Sequence, residues 1–200
     1  MNIFEFMNEF GFYLKQGIDH ITDLAGMDHM LFVITLCAVF QLKSWKQILI
    51  LVTAFTIGHS LTLALSALDI IRVNQNLVET LIPITILMTS IYNVTQKNKT
   101  NRKFSFNYLL ALSFGLIHGM GFSNYFRSMM MGISDGSIIT PLLGFNLGVE
   151  AGQAIIVACY LIVLYVATRI FSVNHREWNL YISGAGGGVA ATMIIEAIWL

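Results

Sequence analysis

Two hundred residues, 56% hydrophobic and only 11% charged with no net charge, describe a chain built for a lipid bilayer, since a soluble domain carries about 25% charged residues. The balanced charge excludes the basic footprint of a nucleic-acid binder. With a mean hydropathy of +0.71, the expected fold class is all-α, a polytopic membrane helix bundle forming a single transmembrane domain over residues 1–200.

In chain order, the first ten to fifteen residues stand apart. Ile3, Phe6, Met7, Phe10 and Leu14 recur at helical spacing, with Asn2, Glu5, Asn8, Glu9 and Gln16 between them. That pattern predicts a short amphipathic helix at the membrane interface, or an extended start of the first span. The opening MNIFEFMNEF is acidic, so no signal peptide is expected. Six apolar stretches of the length that a spanning helix needs follow, at roughly 21–41, 47–68, 76–95, 106–131, 141–170 and 179–200. The short connections hold eight of the eleven Lys and Arg residues on one side: Lys43, Lys46, Lys97, Lys99, Arg102, Lys103, Arg169 and Arg176. Lys15, Arg72 and Arg127 fall on the other. The side rich in cations is expected to face the cytoplasm of an inner membrane, which puts both termini outside. Cys37 and Cys159 lie in apolar runs without a CxxC pattern and read as buried, unpaired thiols.

Three of the five histidines lie deep in these stretches: His29 in GMDHMLF, His59 in TAFTIGHSLTLAL and His118 in FGLIHGMGF. Each is twelve residues from the inner end of its expected span, or about 18 Å at 1.5 Å per residue. Three helices thus bring an imidazole to one level, a little beyond the midplane. A titratable group in lipid is costly and by default marks a functional site. Imidazoles with nearby carboxylates form a ligand set for a transition metal. Asp28, adjacent to His29, points about 100° away from it on a helix, so one can be a ligand and the other its support. Glu79, Glu150 and Glu196 fall in the same outer half.

In FNLGVEAGQ, Asn146, Glu150 and Gln153 form one polar stripe. Asn146 and Gln153 fit a site lining or an interhelical network equally well, and Glu150 is a candidate ligand or general base. Thr53, Thr56 and Ser60 share a stripe in the second span, where hydroxyls usually bond back to their own helix. Gly115 and Gly119 mark close helix packing. The glycine-rich SGAGGGVAA of the last span is a packing face too, since no strand precedes it and no Lys-Ser/Thr follows. His175 sits in a polar loop and is expected to be solvated. His20 falls near the outer interface, within reach of the cluster.

Taken together, DHMLF, TAFTIGHSLTLAL, GLIHGMGF and FNLGVEAGQ resemble the HupE/UreJ family of bacterial membrane proteins, from about Gly17 to Tyr160. The resemblance implies nickel uptake for hydrogenase and urease. The family's first span carries a His, five residues, then Asp-His, and the last two correspond to Asp28 and His29. Here seven residues separate His20 from Asp28, and the Glu that follows His-Gly in nickel permeases is missing after His118-Gly119.

The leading expectation is a divalent-metal permease, for nickel or a similar ion, with metal ligands drawn from His29, His59, His118, Asp28, Glu150 and His20. The ion and the bilayer are its expected partners, and a homo-oligomer is left open. The alternative is an intramembrane zinc-dependent hydrolase on the same cluster, with Glu150, Glu79 or Asp28 as general base. A structural bundle with a hydrogen-bonded polar core is the third reading.

Overall fold

The computed structural model describes residues 3–24, 26–95, 104–130 and 138–199, and these are helical apart from short connections. The elements are α1 (Ile3–Thr22), α2 (Asp28–Cys37), α3 (Trp45–Ala67), α4 (Gln75–Thr95), α5 (Phe104–Met130), α6 (Ile139–Tyr165) and α7 (His175–Trp199). A single 3₁₀ turn, Leu42–Ser44, leads into α3, and a π-helical stretch, Val166–Ile170, ends α6. The fold is thus all-α. Among the described residues, four stretches are long and apolar enough to cross a membrane: Leu42–Ala67, Gln75–Thr95, Ile139–Ile170 and His175–Trp199. Of the six expected spans, these four correspond to 47–68, 76–95, 141–170 and 179–200. Helix α5 has the length, at 27 residues, but its glycines and polar groups dilute its apolar character.

The expected span 21–41 is not one helix. Helix α1 runs on to Thr22, the chain leaves helical geometry around Asp23 and Leu24, and α2 is a separate ten-residue helix. The break follows from the sequence between them. Gly26 favours no helix, and Asp28 begins a new one, its carboxylate at the positive end of the α2 dipole. A short helix deep in a bundle must have its terminal carbonyls satisfied. Asn93 Nδ2 donates to Thr35 O (2.7 Å), Tyr160 Oη to Cys37 O (3.2 Å), and His175 Nε2 lies 3.2 Å from Val39 O. His175 therefore opens α7 against the end of α2 rather than sitting free in a loop.

The amphipathic stretch expected over the first ten to fifteen residues forms, from Ile3, the first part of α1, which packs lengthwise on α6. Glycines set the spacing. A Cβ on Gly17 would stand 2.0 Å from Phe145 O, and one on Gly148 would stand 2.1 Å from Leu14 O, so only hydrogen fits at either position. Gly144 faces Phe10, Tyr13 and Leu14, and Gly152 faces Ile18 and Ile21. Numbers rise together along both helices, so α1 and α6 are parallel. Helices α3 and α5 are also parallel: Gly115 lies on Phe55, and Gly119 on His59 and Thr62. Helices α4 and α7 run antiparallel, with Asn179 Nδ2 donating to Asn93 O (2.9 Å) and Gly187 seated on Ser90 and Leu87.

Helices α3 and α6 cross antiparallel: Leu42 and Lys43, where α3 begins, share a groove with Leu164, Thr168 and Arg169, where α6 ends, and His59 lies beside Asn146. Thr53 Oγ1 donates to Glu150 Oε1 and Thr56 Oγ1 to Gln153 Oε1, both at 2.8 Å. The groove shared by Lys43, Arg169 and His175 marks one end of the bundle, called here the basic end, and Arg176 follows His175 there. The first and last described residues lie at the other, far end. There Asp69, with φ 59°, binds Arg72 and Arg127, and Arg127 also donates to Ser66 O. Arg72 first, then Arg127, hold the Asp69 carboxyl down at about 2. The core fills the space between the helices with fully enclosed side chains such as Phe32, Phe55, Phe126, Phe145, Leu51 and Ile86. Cys37 is buried, but Cys159 lies exposed on α6, where the sequence reading put both inside; both are free thiols.

Candidate metal centre

The break between α1 and α2 brings His20 and His29 together, with ring centroids 4.6 Å apart. Parallel packing of α3 on α5 then sets His59 and His118 against them. His29 lies 5.9 Å from His59 and 4.7 Å from His118, and His20 lies 6.0 Å from His59. One ligand nitrogen from each of His20, His29 and His59 falls within 4.8 Å of the others. Sequence depth grouped His29, His59 and His118. The structure brings His20 into the converging trio and sets His118 beside it, against His29.

The nitrogens of this cluster are buried and unpartnered. His20 Nε2, His29 Nε2, both nitrogens of His59 and both of His118 have no hydrogen-bond partner among the described residues. A buried polar atom without a partner costs about 1–3 kcal/mol, and six in one place make a strong case for a ligand that satisfies them. The donor set suits a borderline or soft divalent ion. Nitrogens around one tetrahedral ion at about 2.0–2.1 Å lie about 3.3 Å apart. The trio is wider than that, so its rings must draw in around an ion.

Asp28 supports His29. Its Oδ1 accepts the His29 backbone N–H (2.8 Å) and lies 2.9 Å from His29 Nδ1. A carboxylate only accepts, so the proton sits on Nδ1 and the lone pair on Nε2 points into the cluster. This is the carboxylate–histidine arrangement that fixes tautomer and ring orientation in metal sites.

Glu150 is placed elsewhere. It lies in a groove on the flank of α3 and α6 with Thr53, Ser60 and Asn146, held by Thr53. Gln153 is fully buried and takes the Thr56 hydrogen bond. Thr56 also bonds back to Val52 O and Ser60 to Thr56 O, so the stripe on α3 serves both its own helix and α6. Asn146 donates to Leu142 O and leaves its Oδ1 buried and unpartnered beside His59. Glu79 and Glu196 are exposed.

Sequence reasoning did not find the aromatic walls. Phe122 covers His20 at 3.8 Å and stacks on Phe145 at 4.9 Å, and Phe145 stacks on His59 at 6.2 Å. On the side toward the basic end, Phe32 and Phe55 lie 5.3 and 5.2 Å from His118. The signal was present, because Phe32, Phe55 and Phe122 stand three or four residues from His29, His59 and His118 and so share a helix face with them. On the far side, an opening lined by Gln16, Asp19, His20, Asp23, Phe122 and Tyr125 reaches the cluster.

These features define a helical membrane protein with a buried, aromatic-walled imidazole cluster reached from one end. A family model described as HupE / UreJ protein matches residues 2–200. The chain belongs to the HupE/UreJ family, and the match extends beyond the stretch on which its motifs show the resemblance. No curated protein and no solved structure matches the chain.

Proposed function

We propose that the protein is a membrane permease for a divalent transition metal, nickel or an ion of like chemistry such as zinc. The convergence of His20, His29 and His59, with buried nitrogens that nothing else satisfies, carries this reading. The ion is cargo. Three imidazoles that must draw in to bind, two of them flanking a break between helices, suit a site that loads and unloads. Broken helices bearing the site are a recurrent device of secondary transporters. The opening at the far end admits the ion past Asp23 and past Asp19, which is paired with Lys15 at 2.7 Å. With the basic end in the cytoplasm, as the Lys and Arg distribution favours, this opening faces outward and both termini lie outside an inner membrane.

The hydrolase alternative lacks a base in the required place. Glu150 is engaged by Thr53 away from the trio, and Asp28 is engaged by His29.

The test is uptake of radiolabelled nickel, and in parallel zinc, into proteoliposomes, alongside the metal content of protein purified without a metal-binding tag. Uptake should saturate and should fall by at least about tenfold in His20→Ala, His29→Ala and His59→Ala, as loss of a ligand contributing about 1.4 kcal/mol or more requires. Uptake by all three variants at the wild-type rate would refute the site.

A further inference from the structure

Two glycine crossings in this protein are copies of each other. Where α3 meets α5, a Cβ on Gly58 would lie 2.3 Å from Leu112 O and 2.9 Å from Leu116 N, and one on Gly115 would lie 2.1 Å from Phe55 O. Where α1 meets α6, a Cβ on Gly17 would lie 2.0 Å from Phe145 O and 2.9 Å from Val149 N, and one on Gly148 would lie 2.1 Å from Leu14 O. In all four cases the obstructing carbonyl belongs to the residue three before the glycine opposite.

Chain order then matches α1 with α5 and α3 with α6, and the residues agree. His20 follows Gly17 by three, as His118 follows Gly115. Phe55 precedes Gly58 by three, as Phe145 precedes Gly148. Helix α1 parallels α6, α6 opposes α3, and α3 parallels α5, so α1 and α5 run in opposite directions. Helices α4 and α7 complete the two sets, antiparallel and crossing where Gly187 meets Ser90. The chain is thus an inverted repeat, α1 to α4 followed by α5 to α7. Inverted repeats carry a transport site at their interface, which the two halves can open to either side.

Under this equivalence His118 is the counterpart of His20. His29 stands midway, 4.6 Å from one ring and 4.7 Å from the other. His118 has both nitrogens buried and unpartnered. The counterpart of His59 is Val149, so the His118 side offers two imidazoles where the His20 side offers three. The exits differ in the same sense. Gln16 lines the opening beside His20. Its counterpart Phe114 meets Phe32 at 5.5 Å, and beyond that pair a mostly apolar groove, walled by Leu36, Phe40, Met88 and Leu110 and carrying the polar side chains of Thr89, Asn93 and Asn107, leads toward the basic end.

Resting on the permease reading, we propose that His118 and His29 form a second position for the ion. The ion reaches it from the His20–His29–His59 position and leaves it past Phe114 into the groove between α2, α4 and α5. His29 serves both positions. Fewer ligands at the second one favour release.

The experiment measures nickel twice, by equilibrium binding to purified protein and by uptake into proteoliposomes at saturating nickel, for wild type, His20→Ala, His118→Ala and His118→Gln. The glutamine variant keeps a buried polar side chain of similar size, and retained nickel binding shows that either His118 variant is folded. His20→Ala should lose binding. The His118 variants should keep the dissociation constant within about threefold and lose at least about tenfold in uptake rate, the scale of one ligand. His118 variants that transport like wild type would overturn the second position and leave the permease reading standing. Loss of binding in both His118 variants to the extent seen in His20→Ala would overturn it too, by making all four histidines one site. Absence of uptake by wild type would overturn the permease reading and this proposal with it.

Discussion

Replacing Gly148 by Ala touches no imidazole, yet it should weaken the metal centre. The added Cβ would stand 2.1 Å from Leu14 O and 3.0 Å from the Cα of Gly17, both backbone atoms of α1 that no rotamer change can move. A carbon seldom approaches a carbonyl oxygen more closely than about 3.3 Å. Helix α1 must therefore retreat from α6 by about 1.2 Å near Gly17, one turn before His20. Displacing His20 by that amount widens a trio whose nitrogens already stand up to 4.8 Å apart. Overpacking of this kind costs about 1–3 kcal/mol. If the cost falls on drawing the rings around the ion, affinity drops by about five- to 150-fold. The assay is nickel titration of purified Gly148→Ala by calorimetry, with Gly11→Ala as the control, since a Cβ on Gly11 meets nothing within 4 Å. Equal affinities for Gly148→Ala, Gly11→Ala and wild type would refute the claim that the glycine crossing sets the position of His20.

Asp28→Asn retains an acceptor for His29 but removes its charge, and Asp28→Ala removes both hydrogen bonds. Nickel affinity should fall by about tenfold in the first and about 100-fold in the second, read by competition with a chromogenic chelator. Glu150→Gln keeps a carbonyl oxygen for Thr53 and should bind nickel with unchanged stoichiometry by elemental analysis, whereas loss of the ion there would return Glu150 to the ligand set. For orientation, a cysteine at Ser44 should resist an impermeant thiol reagent in intact cells and one at Ile70 should react; the reverse pattern would invert the protein in the membrane. The depressed Asp69 carboxyl gives an acid limb. Its folded-state value, about 2, lies below its ordinary 3.8, so its contribution is fully present above pH about 4 and is lost as pH falls through 2. Thermal melts of wild type and Asp69→Asn should differ by a constant amount above pH 4 and converge below 2; a difference unchanged with pH would remove the ion pair from the stability of the α3–α4 turn.

Hydropathy made the bundle legible, and the spacing of His29, His59 and His118 from the basic loops placed three imidazoles at one depth. It did not reveal the break after Thr22. A window of twenty residues averages Asp23 and Gly26 with the apolar residues around them, so two helices read as one. His20 was uncertain for the same reason. In a continuous helix it would lie nine residues, more than two turns, from His29, and only the break lets the two rings meet. The glycines of α6 were visible at 144, 148 and 152, four apart, but which helix they receive is a long-range fact. Depth and stripe single out Glu150 without saying which neighbour its face meets, and the structure sets it against Thr53. Cys159 was assigned to the interior because its run is uniformly apolar, and in a membrane helix such a run covers lipid-facing and buried sides alike.

On the permease reading, the phenylalanines around the cluster bear on which ions the proposed site would refuse. Magnesium and calcium bind through oxygen, and magnesium gives up its water reluctantly. Past the Phe122–Phe145 stack, the walls nearest the imidazoles are hydrocarbon apart from the Asn146 amide beside His59. The carboxylate closest at hand already serves His29. A hard cation entering there would surrender its hydration and receive in exchange ring nitrogens for which it has little affinity. Discrimination against the abundant ions of the surroundings then needs no size filter. It follows from how little oxygen the aromatic chamber offers.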